Sequence, residues 1–295
     1  MRYRYCTMKD LFTLLFISLF VPACTQVMEM KTTQQEINTI QGNEQPIIDT
    51  SGTTIGNRFN VPEGYERLDF LPQQFGYYLR NLPLKPPGSV VKLYDGREKN
   101  STNVYDAVVD LPIGKRDLHQ CADAVMRLRA EYLWNQKRYS EIHFNYTNGF
   151  KAEYTKWMAG QRIVVDGNKT FYKASAAPSN TSKDLWNYLE QVFTYCGTLS
   201  LSKELKPVDV KNIEAGDIFI KGGSPGHAVI VVDVAKNKET GEKIFLLAQS
   251  YMPAQEIQLL KNPNDSSISP WYSVNFGEVL YTPEWTFKKS ELMRF

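Results

Sequence analysis

Histidine is scarce in these 295 residues: there are three, beside four cysteines. With no HExxH pattern and no paired-cysteine spacing, a zinc centre is not expected, nor any other cofactor. An excess of one charge is missing too. Arg2, Arg4 and Lys9 against Asp10 account for the formal net charge of +2, and beyond residue 23 basic and acidic side chains are equal in number. A neutral body without a basic run gives no reason to expect nucleic acid as a partner. No apolar run reaches the roughly 20 residues that a membrane-spanning helix needs. What is present is 42% hydrophobic, 13% aromatic and 22% charged residues, a balance that excludes wholesale disorder and a fibrous repeat.

The N-terminus reads as an address. A basic n-region precedes the apolar stretch Leu11 to Val21, which ends in Val21-Pro22-Ala23-Cys24. That ending resembles a bacterial lipobox and implies lipidation of Cys24 after cleavage; a plain secretory peptide is the alternative. Residues 1–23 are thus a signal peptide and 24–57, rich in Gln, Thr, Asn and Gly, a tether. A single domain is expected over 58–295, in a protein exported and lipid-anchored to the cell envelope, on the outer membrane, as a monomer.

Cys6 leaves with the signal and Cys24 takes the lipid, so Cys121 and Cys196 remain. In an oxidising compartment they either pair or stay free. Their settings differ. Asp117 and Gln120 have the form of a capping box ahead of a helix from Leu118 to about Asn135, with Leu118, Cys121, Val125, Leu128 and Tyr132 on one face. Asp123, Arg127 and Glu131 are spaced to pair along another. Cys121 would sit in the first turn, where the helix dipole lowers a thiol pKa. A second helix starts near Thr181, with Leu185, Leu189, Val192 and Cys196 in its stripe and Gly197 as its stop. Cys196 reads as a buried apolar residue.

Among the histidines, His119 lies two residues from Cys121 and is expected at the rim or surface. His143 sits in an alternating stretch that reads as a strand and is a modest candidate. His227 follows the loop Gly222-Gly223-Ser224-Pro225-Gly226 and opens the apolar strand His227 to Val234. A turn through Lys238 to Glu242 leads to the next strand, Ile244 to Tyr251. Counting back from that turn puts Gln249 near Val229, close enough to orient His227. Further strands are expected over Ser89–Tyr94 and Asn103–Leu111, and a hairpin over Arg162–Ala174, which together make an α+β domain with an antiparallel sheet.

Gly216-Asp217-Ile218-Phe219-Ile220, a short Gly-Pro loop and Gly226-His227-Ala228-Val229-Ile230 resemble the NlpC/P60 group of papain-like cysteine peptidases and amidases. The order Cys121, His227, Gln249 is similar to that group's nucleophile, base and third polar residue, although Gln120-Cys121-Ala122-Asp123 replaces its common Asp-Cys-Ser-Gly. The resemblance implies a papain-like antiparallel sheet packed against the cysteine-bearing helix, with added strands and helices. It also implies amide hydrolysis, with peptidoglycan stem peptides the expected substrate at the envelope. Gln120 and Tyr251 are candidate oxyanion or substrate-binding residues, and the backbone N–H of Cys121 an oxyanion donor. Ser250 to Glu256 is a candidate cleft wall. The whole chain also resembles an uncharacterised family of Bacteroidetes lipoproteins. The alternative is an inactive papain-like lipoprotein that binds glycan, peptide or another envelope protein.

Overall fold

The computed structural model describes residues 45–101 and 103–295. The signal segment, Cys24 and most of the expected tether lie outside the described residues. Residues Gln45–Phe295 form one compact unit. Its boundary is earlier than the expected residue 58, because Ile47 and Ile48 pack on the core and Ile48 bridges to Phe59.

Six helices are described: α1 Ile55–Arg58, α2 Phe75–Arg80, α3 Cys121–Asn135, α4 Tyr154–Met158, α5 Ser182–Tyr195 and α6 Thr198–Glu204. The strands are β1 Tyr65–Arg67, β2 Tyr105–Val108, β3 His143–Asn145, β4 Lys151–Glu153, β5 Gln161–Asp166, β6 Lys169–Ala174, β7 Lys206–Pro207 and β8 Ile218–Lys221. They continue with β9 His227–Asn237, β10 Lys243–Gln249, β11 Gln258–Leu260, β12 Tyr272–Ser273, β13 Val279–Tyr281, β14 Thr286–Lys288 and β15 Leu292–Arg294. The architecture is α+β and its pairings are antiparallel. The main sheet runs β2-β11-β10-β9-β8-β15-β7, with β1 also on β9 and β12 on β10. The expected hairpin is β5–β6, but Ser89–Tyr94 contributes only isolated bridges through Lys92 and Leu93.

Strand β9 organises the core. Ala228, Ile230 and Val232 face the helices, while Val229 and Val231 face Phe219, Phe245 and Phe287. This is the period-2 alternation of a strand buried on both sides. The register against β10 shifts between Leu246 and Leu247, which pair with Asp233 and Val231. The extra residue reverses the phase. Beyond it Val234 joins the aromatic side and Ala235 the helix side.

Helix α3 starts three residues later than its pattern suggests. Asp117 spends its Oδ1 on the Gln120 side chain (3.1 Å) and the Ala254 N–H (2.7 Å). The cap is instead Gln120, whose N–H donates to Asp123 Oδ2 at 3.0 Å. Arg127 pairs with Glu131 at 2.8 Å, but Asp123 is committed to the cap and does not join them. Helix α5 begins at the Thr181 cap as expected. Gly197, however, does not stop it in a left-handed turn. With an extended φ of −179° it is the cap of α6, and Cys196 ends α5.

Candidate active site

The loop before His227 admits no side chain at Gly226, where a Cβ would lie 2.4 Å from Thr198 Oγ1 and 2.5 Å from Gly223 O. That close approach seats α6 beneath the loop and sets His227 at the start of β9. Across the hairpin Ala248 pairs with Ile230, so the register leads Gln249 toward Val229, as the turn count predicts. Gln249 Oε1 lies 2.8 Å from His227 Nε2. Both side chains are buried, each residue only 2% exposed.

Cys121 is the first residue of α3, so its own N–H is one of the donors left free at the helix start. Helix α3 packs on β9, and backbone donors that include Ala228, the residue after His227, act to lower the pKa of the thiol. His227 and Gln249 thus meet at the end of the β9–β10 hairpin near which Cys121 starts α3, with the His227 ring on the Trp285 and Phe287 side. Cys121 and Cys196 are both free thiols. Cys121, Asp123, Cys196, Thr198 and Met252 line a cavity of about 250 Å³.

The helix dipole does not set the charge of this site; burial does. Burial first, and Asp123 second, push the Cys121 thiol up to about 11, against the backbone donors that lower it. Burial drives the His227 imidazole down to about 4, against its bond to Gln249. The resting pair is therefore thiol and neutral imidazole, correcting the expectation of a lowered Cys121 pKa. Desolvation of a nearly closed site outweighs a partial helix charge. The Cys196 thiol is likewise raised by burial.

Two other candidates are placed differently from expectation, while His143 is in a strand as expected. His119 is fully buried, not at a rim. Its Nδ1 lies 3.3 Å from Gln255 O, and Ser250 Oγ donates to His119 O at 2.8 Å, so the 250–255 loop covers it. The Gln120 side chain is held by Asp117, which removes it from the role of oxyanion donor. His143 lies in the β3–β4 hairpin, with Glu204 Oε2 3.9 Å from its Nδ1. Tyr251 does reach the site, its ring 4.8 Å from that of His227. With Met252, Pro253 and Gln255 it walls a second cavity of about 520 Å³, and Met252 borders both cavities.

Lys99, Glu284, Trp285 and Phe287 also surround His227 and Gln249, unexpected from the sequence. Trp285 and Phe287 lie 5.4 and 5.9 Å from the His227 ring. Gln249 Nε2 donates to Glu284 Oε2 at 2.6 Å, and Lys99 pairs with the same oxygen at 2.6 Å. No local pattern marks these residues, which arrive from 35 positions after Gln249 and from a loop ahead of β2.

Asp123 is also buried, and its Oδ1 has no hydrogen-bond partner among the described residues. Burial raises its carboxyl pKa to about 8. A carboxyl raised in the folded state contributes stability that is complete below its unfolded value near 3.8 and is lost as pH rises through 8. Asp123→Asn should therefore gain on the parent protein by about 1.4 kcal/mol per pH unit between pH 4 and 8. Urea unfolding at pH 4.5 and 8 tests this; a constant difference between the two proteins would refute it. Among the described residues, no group of three or more His, Cys, Asp or Glu is arranged to hold a metal ion.

Fold and site together define an α+β protein with a buried His227–Gln249 pair at one end of an antiparallel sheet and a buried free thiol, Cys121, at the start of the neighbouring helix. The family model described as a domain of unknown function (4846) matches residues 55–294, and the chain belongs to that family. No curated protein and no solved structure matches it.

Proposed function

We propose that this protein is a papain-like cysteine hydrolase of the cell envelope, exported and anchored through Cys24, that cleaves an amide bond in peptidoglycan stem peptides. The observation that carries this reading is the junction of the first residue of α3 with the mouth of β9. There α3 packs on β9 with Cys121 in its first turn, while Gln249 engages His227 through Nε2. Nδ1 is then the nitrogen left for proton transfer. The resemblance of the His227 strand to NlpC/P60 enzymes adds support.

In the proposed reaction His227 Nδ1 takes the Cys121 proton as sulfur attacks the carbonyl carbon. The Cys121 backbone N–H stabilises the oxyanion. Collapse of the tetrahedral adduct expels the amine, protonated by His227, and leaves a thioester. His227 then removes a proton from water, which attacks the thioester and returns the thiol. Because the resting pair is neutral, deprotonation accompanies attack and does not precede it.

The raised thiol and depressed imidazole favour a second reading, an inactive papain-like binder that keeps the frame. The test is incubation of the mature protein with peptidoglycan fragments, with new amines and carboxylates identified by mass spectrometry. Cleavage lowered at least about 10³-fold in Cys121→Ala and His227→Gln is the expected result. No cleavage by the parent protein, or cleavage indifferent to Cys121→Ala, would leave the binder.

A further inference from the structure

Four buried or half-buried polar groups run in a chain: His227, Gln249, Glu284 and Lys99. The contacts are 2.8 Å from His227 Nε2 to Gln249 Oε1, then 2.6 Å from Gln249 Nε2 to Glu284 Oε2. Lys99 Nζ lies 2.6 Å from that carboxylate oxygen and 3.1 Å from Gln255 Oε1. The Lys99 side chain is 7% exposed and that of Glu284 20%.

The direction of this chain follows from donor chemistry. An ammonium only donates and an ionised carboxylate only accepts. Glu284 must therefore receive the Gln249 NH2 group, which turns the Gln249 carbonyl toward the imidazole. A carbonyl only accepts, so His227 must carry its proton on Nε2. Its Nδ1 is then a bare lone pair, the form a base needs. Gln249 alone does not decide this, since a glutamine amide offers a donor on one side and an acceptor on the other. The choice is made by the charge beyond it.

We infer that Glu284, held by Lys99, is a positioning residue that fixes the tautomer of His227 through the Gln249 amide. Its catalytic consequence rests on the hydrolase reading above; the tautomer itself does not. Burial keeps His227 uncharged near neutral pH, so a single neutral tautomer is there to be observed.

The test is nitrogen-15 NMR of the histidine rings in the full mature protein at pH 7. His227 should show a protonated Nε2 and a bare Nδ1. In Glu284→Gln the neighbour both donates and accepts, so the amide loses its imposed direction and the two tautomers should mix. The double exchange Gln249→Glu with Glu284→Gln restores direction. The carboxylate now beside the imidazole accepts from His227 Nε2 and from the new amide behind it, whose carbonyl faces Lys99, and the single Nε2–H form should return. Cleavage, where present, should fall on the order of 10²-fold in kcat in Glu284→Gln, with little change in KM. A protonated Nδ1 in the parent, or an unchanged single tautomer in a folded Glu284→Gln, would overturn the inference. Absence of cleavage with the expected tautomers would instead count against the hydrolase alone.

Discussion

Acidification below pH 6.5 is expected to strip this protein of the stability that two neutral buried histidines supply. Burial lowers His119 to about 3 and His227 to about 4, from 6.5. A histidine depressed in the folded state contributes stability above its unfolded value, lost as pH falls through the folded one. Between pH 6.5 and 4 the unfolded chain binds two protons that the native state refuses, and together these cost about 2.7 kcal/mol per pH unit. Asp123 works the other way over the same interval, because the native carboxyl is already protonated, and it returns about 1.4 kcal/mol per unit.

The measurement is therefore a comparison of variants. His119→Asn keeps a donor where Nδ1 meets Gln255 O, and His227→Gln keeps one where Nε2 meets Gln249. In urea unfolding at pH 6.5 and 4.5, the double variant should lose about 5 kcal/mol less than the parent. Each single variant should recover about half of that. Parallel losses in parent and double variant would show that the histidines do not control the acid limb. For a domain whose whole stability is typically about 5–15 kcal/mol, the effect spans the difference between folded and unfolded.

Loss of Asp233 is the second large expectation. Its side chain is fully buried and its two oxygens meet Arg67 Nε at 2.8 Å and Arg80 Nη2 at 2.5 Å, with Arg80 Nε also at 2.8 Å. The Val234 N–H adds a bond at 2.9 Å. This carboxylate stands on the helix side of β9 because of the phase reversal beside it, and there it clamps β1 and α2 to the sheet. Arg80 also donates to Leu68 O, and Arg67 to Phe59 O.

Asp233→Ala would leave two guanidinium groups, with side chains 22% and 16% exposed, short of their shared anion. A loss of about 3–5 kcal/mol is expected. Replacing all three together, Asp233→Val with Arg67→Leu and Arg80→Met, should recover much of it, since a buried ion pair is costly chiefly when half of it is removed. Urea unfolding measures both variants, and amide exchange across residues 55–80 should speed up in Asp233→Ala. A loss under about 1 kcal/mol would show that the clamp acts as a surface pair.

Gly216 shows how far a local reading extends. The Gly-Asp pair ahead of β8 reads as a turn entering a strand, and Gly216 does adopt a φ of +102°. That φ already calls for glycine, and the fold adds a second reason, since a Cβ would lie 2.6 Å from the Phe75 ring. The Asp217 that follows is held by Arg294, 77 residues away, at 2.6 Å. No turn pattern carries that partner.

The amino-acid sequence alone determined the elements whose cause is local. Apolar periodicity marked α3, and the Thr181 cap with apolar periodicity marked α5. The glycine loop and β-branched run marked His227 and β9, and a short hairpin turn set Gln249 within reach of the imidazole. Backbone geometry over ten or twenty residues is enough for each. Tertiary structure decided the rest. It buried His119, enlisted Gln120 in a cap, brought Lys99 and Glu284 to Gln249, and moved the thiol and imidazole pKa values apart in the directions opposite to an ion pair. Those outcomes depend on how much water is excluded and on which distant side chains fill the space. Desolvation and long-range pairing are properties of the packed molecule, and no window of sequence contains them.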